Sequence, residues 1–397
     1  MGVRETRYIF GALVFSVLGD QLARVALSIL VYSRTGSPLL TALTYAVTFL
    51  PWVVGGPILA AYADRMPRRS VMIGCDLGRA VLVGMLVIPG IPLIVLVALL
   101  FVATMFAPPF ESARSALMPE ILQGDRYVVG NALITNTYQM GQVFGFIGGG
   151  ALVALITARG ALAADATTFL ISAALIRIGV RHRARAQSPD ARRTSLLQET
   201  SAGLRLVLGT PRLRSIVLLV CTASAFAFAW EGIAAPWAAQ LGGGPRTVGL
   251  LLGVSPIGMV VGAFVLGRLC RPSTRERLML PLAVAGPLVL GLVLLDNRAP
   301  LALAAVVISG LAVSFNIPLN AVFMLAIDPA FRGRAFGVVQ SGLQAAQGLS
   351  ILLAGAVADR LAPSTTVGVF GLVGAVIVAL AARSYRRAPA PLPAPAA

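Results

Sequence analysis

The sequence predicts an all-α membrane protein with twelve transmembrane helices in two pseudo-symmetric six-helix bundles. Three observations carry that expectation. Apolar runs of about 20 residues recur along the chain, long enough to cross a bilayer as helix. The 397 residues are 57% hydrophobic and only 12% charged, about half the charge of a soluble domain. Arginines gather in alternate connections, as a multi-pass topology requires.

The predicted spans cover residues 8–31, 39–63, 71–89, 92–110, 128–155, 161–180, 214–238, 247–269, 279–296, 301–325, 335–357 and 365–384. The first follows Arg4 and Arg7 and superficially looks like a signal peptide. It contains Asp20 and Arg24 and continues to Val31, which fits an uncleaved helix. Short connections such as 33–38 and 89–92 lie on one side. They and their counterparts hold Arg34, Arg159, Arg246, Arg298 and Arg360. The other side carries Arg65, Arg68, Arg69, Arg114, Arg126, the run between Arg181 and Arg214, and the basic residues around Arg271, Arg332 and Arg386. The positive-inside rule therefore places both termini in the cytoplasm.

The domain reading follows. Residues 1–181 form an N-terminal six-helix bundle, 182–212 a cytoplasmic linker, 213–387 a C-terminal six-helix bundle and 388–397 a disordered Pro/Ala-rich tail. Within the linker, Leu196, Leu197, Gly203, Leu204 and Leu208 can share one helical face. A short amphipathic helix lying along the membrane surface is expected there. Paired landmarks support a duplication. Met118-Pro119 precedes Gly130-Asn131, as Asp328-Pro329 precedes Gly333-Arg334. Pro51, Gly55, Ala60 and Asp64 run parallel to Pro256, Gly262, Gly267 and Arg271. Such repeats place a substrate site at mid-membrane between the halves.

Composition also excludes chemistry. The net charge of +17 comes entirely from arginine, with no lysine. It is spent on loop topology, so nucleic acid is not an expected partner. Cys75, Cys221 and Cys270 form no CxxC pair, and His182, the single histidine, sits in a basic loop. No metal, no cofactor and no catalytic residue is expected.

Ionisable residues inside spans are costly, about 3 kcal/mol or more each, and call for a reason. Asp20 and Arg24 are four apart on one face of the first span. Asp76 and Arg79 are three apart in the third. Each pair reads either as an internal structural ion pair or as functional machinery. Asp165 falls near the outer end of the sixth span and reads as structural. Glu231, beside Trp230 in the seventh, has no cation within a helical turn. It must be protonated, paired across helices, or in water. A carboxyl removed from water is a candidate proton carrier. Asp20, Arg24 and Glu231 are thus the expected proton-coupling residues, with Asp20 and Glu231 facing one another across a cavity.

Two polar stripes fit cavity lining or interhelical hydrogen bonding. One runs Asn131, Thr135, Tyr138 and Gln142; the other runs Gln340, Gln344 and Gln347. Thr135, Tyr138, Gln142, Trp230, Gln340, Gln344 and Gln347 are the expected substrate-cavity residues. Gly141, Gly145 and Gly149, spaced by four, allow a neighbouring backbone to approach closely.

The stretch from Ala60 to Arg69, with Asp64, Arg65, Arg68 and Arg69, resembles the signature G-x-L-A-D-R-x-G-R-R of the major facilitator superfamily. Ala60 and Pro67 stand where that signature has glycines. The resemblance implies the major facilitator fold and a cytoplasmic gating latch. In that latch Asp64 contacts the region 332–336 and shares a network with Arg68 and with Glu111 or Arg114. Gly141, Gly145, Gly149 and Gly150 resemble the antiporter motif of the family, with Phe146 in place of its proline. The segments PPFESARSALMPEIL, DLGRA and DATTFLISA are similar to bacterial exporters of the enterobactin-exporter and drug-efflux type.

The expected protein is a bacterial inner-membrane secondary transporter, multi-pass and monomeric. It exports a small amphipathic compound by alternating access in exchange for protons, within the lipid bilayer. An importer on the same fold, an integral membrane enzyme and a non-transporting membrane scaffold or receptor are the alternatives. The absence of a GxSxG motif, intramembrane histidine or P-loop speaks against enzyme and ATP-driven readings.

Overall fold

The computed structural model describes residues 2–55, 66–183, 196–327 and 331–389. Among them every regular element is helical and no strand occurs. A helix satisfies its own backbone, which a chain passing through lipid must do.

Helix α1 covers Gly2–Thr35, α2 Pro38–Val47 and α3 Arg68–Leu86. Beyond α2 a π-helical turn follows at Pro51–Gly55. Helix α4, Leu93–Ile121, is built from the segments Leu93–Thr104 and Ala107–Ile121. Helix α5 is Asp125–Ile156 and α6 is Ala158–Gly179. The linker helix α7 is Leu196–Gly209. Helices α8 to α11 are Pro211–Gln240, Pro245–Leu269, Pro272–Leu294 and Ala299–Leu325. Helix α12 is Arg332–Ala358 and α13 is Pro363–Arg387.

Ten of these helices are long and apolar enough to cross a membrane: α1, α4–α6 and α8–α13. The chain is therefore a multi-pass membrane protein. The other two predicted spans fall short for separate reasons. The second runs on into residues 56–65, outside the described residues. The third is α3, whose 19 residues include Arg68, Arg69, Asp76 and Arg79. Apolar side chains remain on the outer surfaces, including Ile94, Leu295 and Leu325 at 79%, 81% and 82% exposure. That composition suits a surface bathed in lipid.

Local signals set the helix ends. Ser37 caps α2: its Oγ accepts from Leu40 N at 3.2 Å, and Pro38 opens the helix. Proline also opens α8, α10, α11 and α13. Thr157 alone joins α5 to α6 with φ at 86°, and its Oγ1 accepts from Gly160 N at 3.3 Å.

The chain divides into two compact units. The first comprises Met1–Ala191 and Glu231–Pro256; the second comprises Arg192–Trp230 and Ile257–Ala397. The boundary cuts α8 inside a 3-10 turn, Ala229–Ile233, and cuts α9 beside its internal Pro256. In the first unit α1 packs on both α5 and α6, and α3 packs on α6. The α5 glycines make this possible. A Cβ on Gly141 would lie 2.4 Å from Val17, and one on Gly145 would lie 2.7 Å from the Gln21 Cβ. A Cβ on Gly149 would lie 3.1 Å from the Leu22 Cα, so the whole glycine stripe is filled by α1. In the second unit α8 packs on α12 and α13, and α10 on α13.

Helix α7 forms where the linker pattern predicts one. Gly203 and Val207 are buried, and Val207 joins a core with Leu213, Leu319 and Tyr385. Leu204 and Leu208 stay exposed at 44% and 52%. The packed face is thus one position away from the predicted apolar stripe, because Val207 rather than Leu208 meets the core.

Candidate functional site

The buried charges of the first unit form a connected cluster. Asp76 and Arg79 share one face of α3. Asp165, Phe169 and Ser172 share the face of α6 packed against it. Asp20 comes from α1. Arg79 NH2 donates to Asp20 Oδ1 at 3.1 Å and to Oδ2 at 3.4 Å. The same guanidinium lies 4.6 Å from the Phe169 ring centre. Asp76 is fully buried, and its Oδ2 accepts from Ser172 Oγ at 2.6 Å. Asp165 is 1% exposed, with Thr168 Oγ1 donating to its Oδ1 at 3.3 Å.

This pairing differs from the one spacing along each helix suggests. Asp20 is bridged to Arg79 on another helix, and Arg24 is directed elsewhere. The Arg24 guanidinium lies over two aromatic rings, 5.6 Å from Tyr45 and 6.0 Å from Phe49. A side chain pointing into a bundle meets the facing helix before it meets its own next turn. An interhelical bond also satisfies two helices at once.

Glu231 sits in the 3-10 turn of α8 and accepts a hydrogen bond from Tyr45 OH at 2.9 Å. The bond ties α8 to α2 across the bundle. Asp20 and Glu231 both act electrostatically on Arg24. Trp230 is 2% exposed and its Nε1 donates to Ala227 O at 2.9 Å. Tyr45→Phe should lower stability by about 1 kcal/mol, since it strands a carboxyl oxygen in a lipid-embedded setting. Thermal unfolding of the variant, and of Tyr45→Phe combined with Glu231→Gln, checks this. Fully additive losses would mean the two side chains do not interact.

A second cluster lies on α4 and α5. Arg114 NH2 donates to Glu111, and Tyr138 OH donates to the same carboxylate. Arg114 also stands 5.4 Å from the Tyr138 ring centre. Arg68 does not join this cluster. It donates to Ala116 O at 2.6 Å and is salt-bridged to Glu120. Arg183 bridges Glu5 at 2.8 Å and approaches Glu120 at 3.9 Å; Arg181 lies 3.5 Å from Glu5. Arg69 donates to Arg177 O. Glu111 and Glu120 are nine residues apart in a helix that extends to Ile121. The predicted fourth span stops at residue 110, short of Glu120, the partner of Arg68. Asp64 and Arg65 lie outside the described residues.

The polar stripes are partly accessible. Thr135 is exposed and its Oγ1 donates to Asn131 O at 3.1 Å. Gln142, Gln344 and Gln347 are half-buried and Gln340 is exposed. Sequence reasoning missed Tyr45, Ser172, Glu5 and Glu120. Tyr45 and Ser172 sit in apolar runs, where one hydroxyl gives no pattern signal.

Ten helices long and apolar enough to cross a membrane, with a carboxyl–guanidinium bridge between two helices, define a polytopic membrane protein. The Major Facilitator Superfamily profile matches residues 9–325 and 232–397. The chain belongs to that family. It is 26% identical over 357 residues to the multidrug efflux pump Tap of Mycolicibacterium fortuitum, covering 86% of each chain. It is 25% identical to macrolide efflux protein A of Streptococcus pyogenes, covering 92% of this chain and 91% of that protein. The fold is shared with the nucleoside transporter NupG, with TM-score 0.73, 13% identity and coverage of 96% and 99%. It is also shared with a bacterial homolog of the human lysosomal transporter Spinster, with TM-score 0.72, 14% identity and 99% of each chain covered.

Proposed function

We propose that the protein is a secondary active transporter that exports a small amphipathic compound in exchange for protons, by alternating access. It works as a monomer in a bacterial inner membrane. Twelve spans, counting α2 and α3, form two six-helix halves at 1–181 and 213–387. Both termini are cytoplasmic; residues 390–397 of the tail lie outside the described residues. The observation that supports proton coupling best is the Glu231 carboxyl, held inside the bundle by the Tyr45 hydroxyl beside Arg24. Efflux is favoured because two relatives matched over most of their length are named as efflux proteins. Thr135, Tyr138, Gln142, Trp230, Gln340, Gln344 and Gln347 contribute to substrate contact. Asp20, Arg24 and Glu231 couple protons. Asp64, Arg65, Arg68, Arg69, Glu111 and Arg114 gate the cytoplasmic side.

Everted vesicles given ethidium in the outer medium test the reading. An imposed proton gradient should drive ethidium movement in vesicles containing the protein, and Glu231→Gln should reduce it to the level of empty vesicles. Gradient-driven transport that survives Glu231→Gln unchanged would remove Glu231 from coupling. Accumulation of the dye by intact cells would turn the direction to import. In the same assay Asp64→Asn should insert at the normal level yet lose transport; full activity would end the latch assignment.

A further inference from the structure

We propose that Asp76 and Asp165 form a second proton-binding site, separate from Glu231 and switched by Arg79. The inference relies on the proton-coupled reading above for its use in transport, but not for its existence.

The argument begins with charge. Asp20, Asp76 and Asp165 all act electrostatically on one guanidinium, that of Arg79. Arg79 is committed to Asp20 by two contacts and to the Phe169 ring. Asp76 and Asp165 are 0% and 1% exposed. Each keeps one buried oxygen with no hydrogen-bond partner, Oδ1 of Asp76 and Oδ2 of Asp165. The other oxygen of each meets only a hydroxyl, from Ser172 or Thr168. Two carboxylates in that setting would carry two uncompensated charges out of water, which costs several kcal/mol apiece. A neutral carboxylic acid fits the same contacts, with a proton on the oxygen that lacks a partner. The charged or titratable groups that act on the pair are Asp20 from α1 and Cys75 and Arg79 from α3; Arg24 and Tyr138 act on Asp20.

Gly19 joins Asp165 to this switch. A Cβ on Gly19 would lie 2.2 Å from Asp165 Oδ1 and 2.2 Å from Thr168 Oγ1. Only glycine lets the carboxyl approach α1 one residue from Asp20. The exchange balances. In the observed arrangement Asp20 is the carboxylate paired with Arg79, and Asp165 holds its proton. When Arg79 turns from Asp20 to Asp165, the Asp165 O–H bond breaks and its proton leaves. Asp165 becomes the carboxylate partner. Asp20, whose side chain is 36% exposed, takes one proton from water. One ion pair replaces another and the cluster's net charge is unchanged.

Infrared spectroscopy of the full-length protein in lipid nanodiscs at neutral pH tests the site directly. The carbonyl stretch of protonated carboxylic acids should be present. It should be diminished by Asp165→Asn and by Asp76→Asn, and the aspartate contribution should persist in Glu231→Gln. Asparagine has the shape of the neutral acid, so both variants should fold. If either does not, aspartate isotopically labelled at its side-chain carboxyl carbon replaces the mutation; the label should shift the band in the wild-type protein. No acid carbonyl band, a band unmoved by the label, or a band removed by Glu231→Gln alone would overturn the proposal. None of these readouts needs a substrate, so a failed transport assay and a failed proton site are told apart.

Discussion

Arg79→Met should destabilise the folded protein by about 3 kcal/mol, measured as a lowered thermal unfolding midpoint in detergent. The change removes the cation bridged to Asp20 and leaves that carboxylate only the weaker field of Arg24, with which it makes no ion pair among the described residues. The size lies at the low end for a broken buried pair because the Asp20 side chain is 36% exposed while that of Arg79 is 7% exposed. Asp20→Asn added to Arg79→Met should restore more than half of the loss, since the stranded charge is then gone. Arg79→Met that melts with the wild-type protein, or a double variant no better than the single, would show that the bridge carries no such weight. The stacking of Arg79 on Phe169 adds a smaller term that the double variant leaves lost.

Gly145→Leu should cost about 1–3 kcal/mol or more and abolish transport. The first added carbon would stand 2.7 Å from the Gln21 Cβ and 3.2 Å from the Leu18 carbonyl oxygen. The Leu18 carbonyl is backbone and cannot swing aside, so α1 and α5 must separate. Gly148→Ala, on the same helix, meets nothing within 4 Å and should be neutral or slightly stabilising. Thermal midpoints of the two variants, with ethidium efflux beside them, make the comparison. Equal effects at both positions would mean that helix propensity, not the approach of α1, explains the stripe.

Much of the architecture could be read from sequence because lipid simplifies the code. A run of apolar residues near 20 long has few other interpretations, and arginine placement orients it. The helical identity of α1, α5, α6 and α8–α13 follows from such runs, and the helix inside the linker from leucines that share one face. The spacing of Gly141, Gly145 and Gly149 announces a close neighbour without naming it, and the structure supplies α1. What could not be read is partnership across helices. Asp20 and Arg24 are neighbours along one helix, yet Asp20 bridges Arg79, fifty-nine residues on. Tyr45 carries no mark in sequence of its bond to Glu231, 186 residues away. Long-range pairs depend on how helices are arranged, and one chain's periodicity says nothing about that. The stretch from Ala60 to Arg69 shows the opposite case. Its motif gives a role for Asp64, while only Arg68 and Arg69 have described contacts, to Glu120, Ala116 and Arg177.

The division of the chain through α8 and α9 bears on how the protein is made. Its first unit is discontinuous: Glu231–Pro256 belongs to it, although the segment Arg192–Trp230 of the other unit comes earlier in the chain. A ribosome working from the N-terminus therefore cannot finish the first unit when it has made the first six spans. Tyr45 waits for Glu231, and Gly150 waits for Gly249, whose Cα would lie 2.7 Å from a Cβ there. Until residue 256 has been inserted, the hydroxyl of Tyr45 and the glycine face at Gly150 need temporary company from lipid, water or the insertion machinery. Synthesis order and the order of these contacts disagree in this protein.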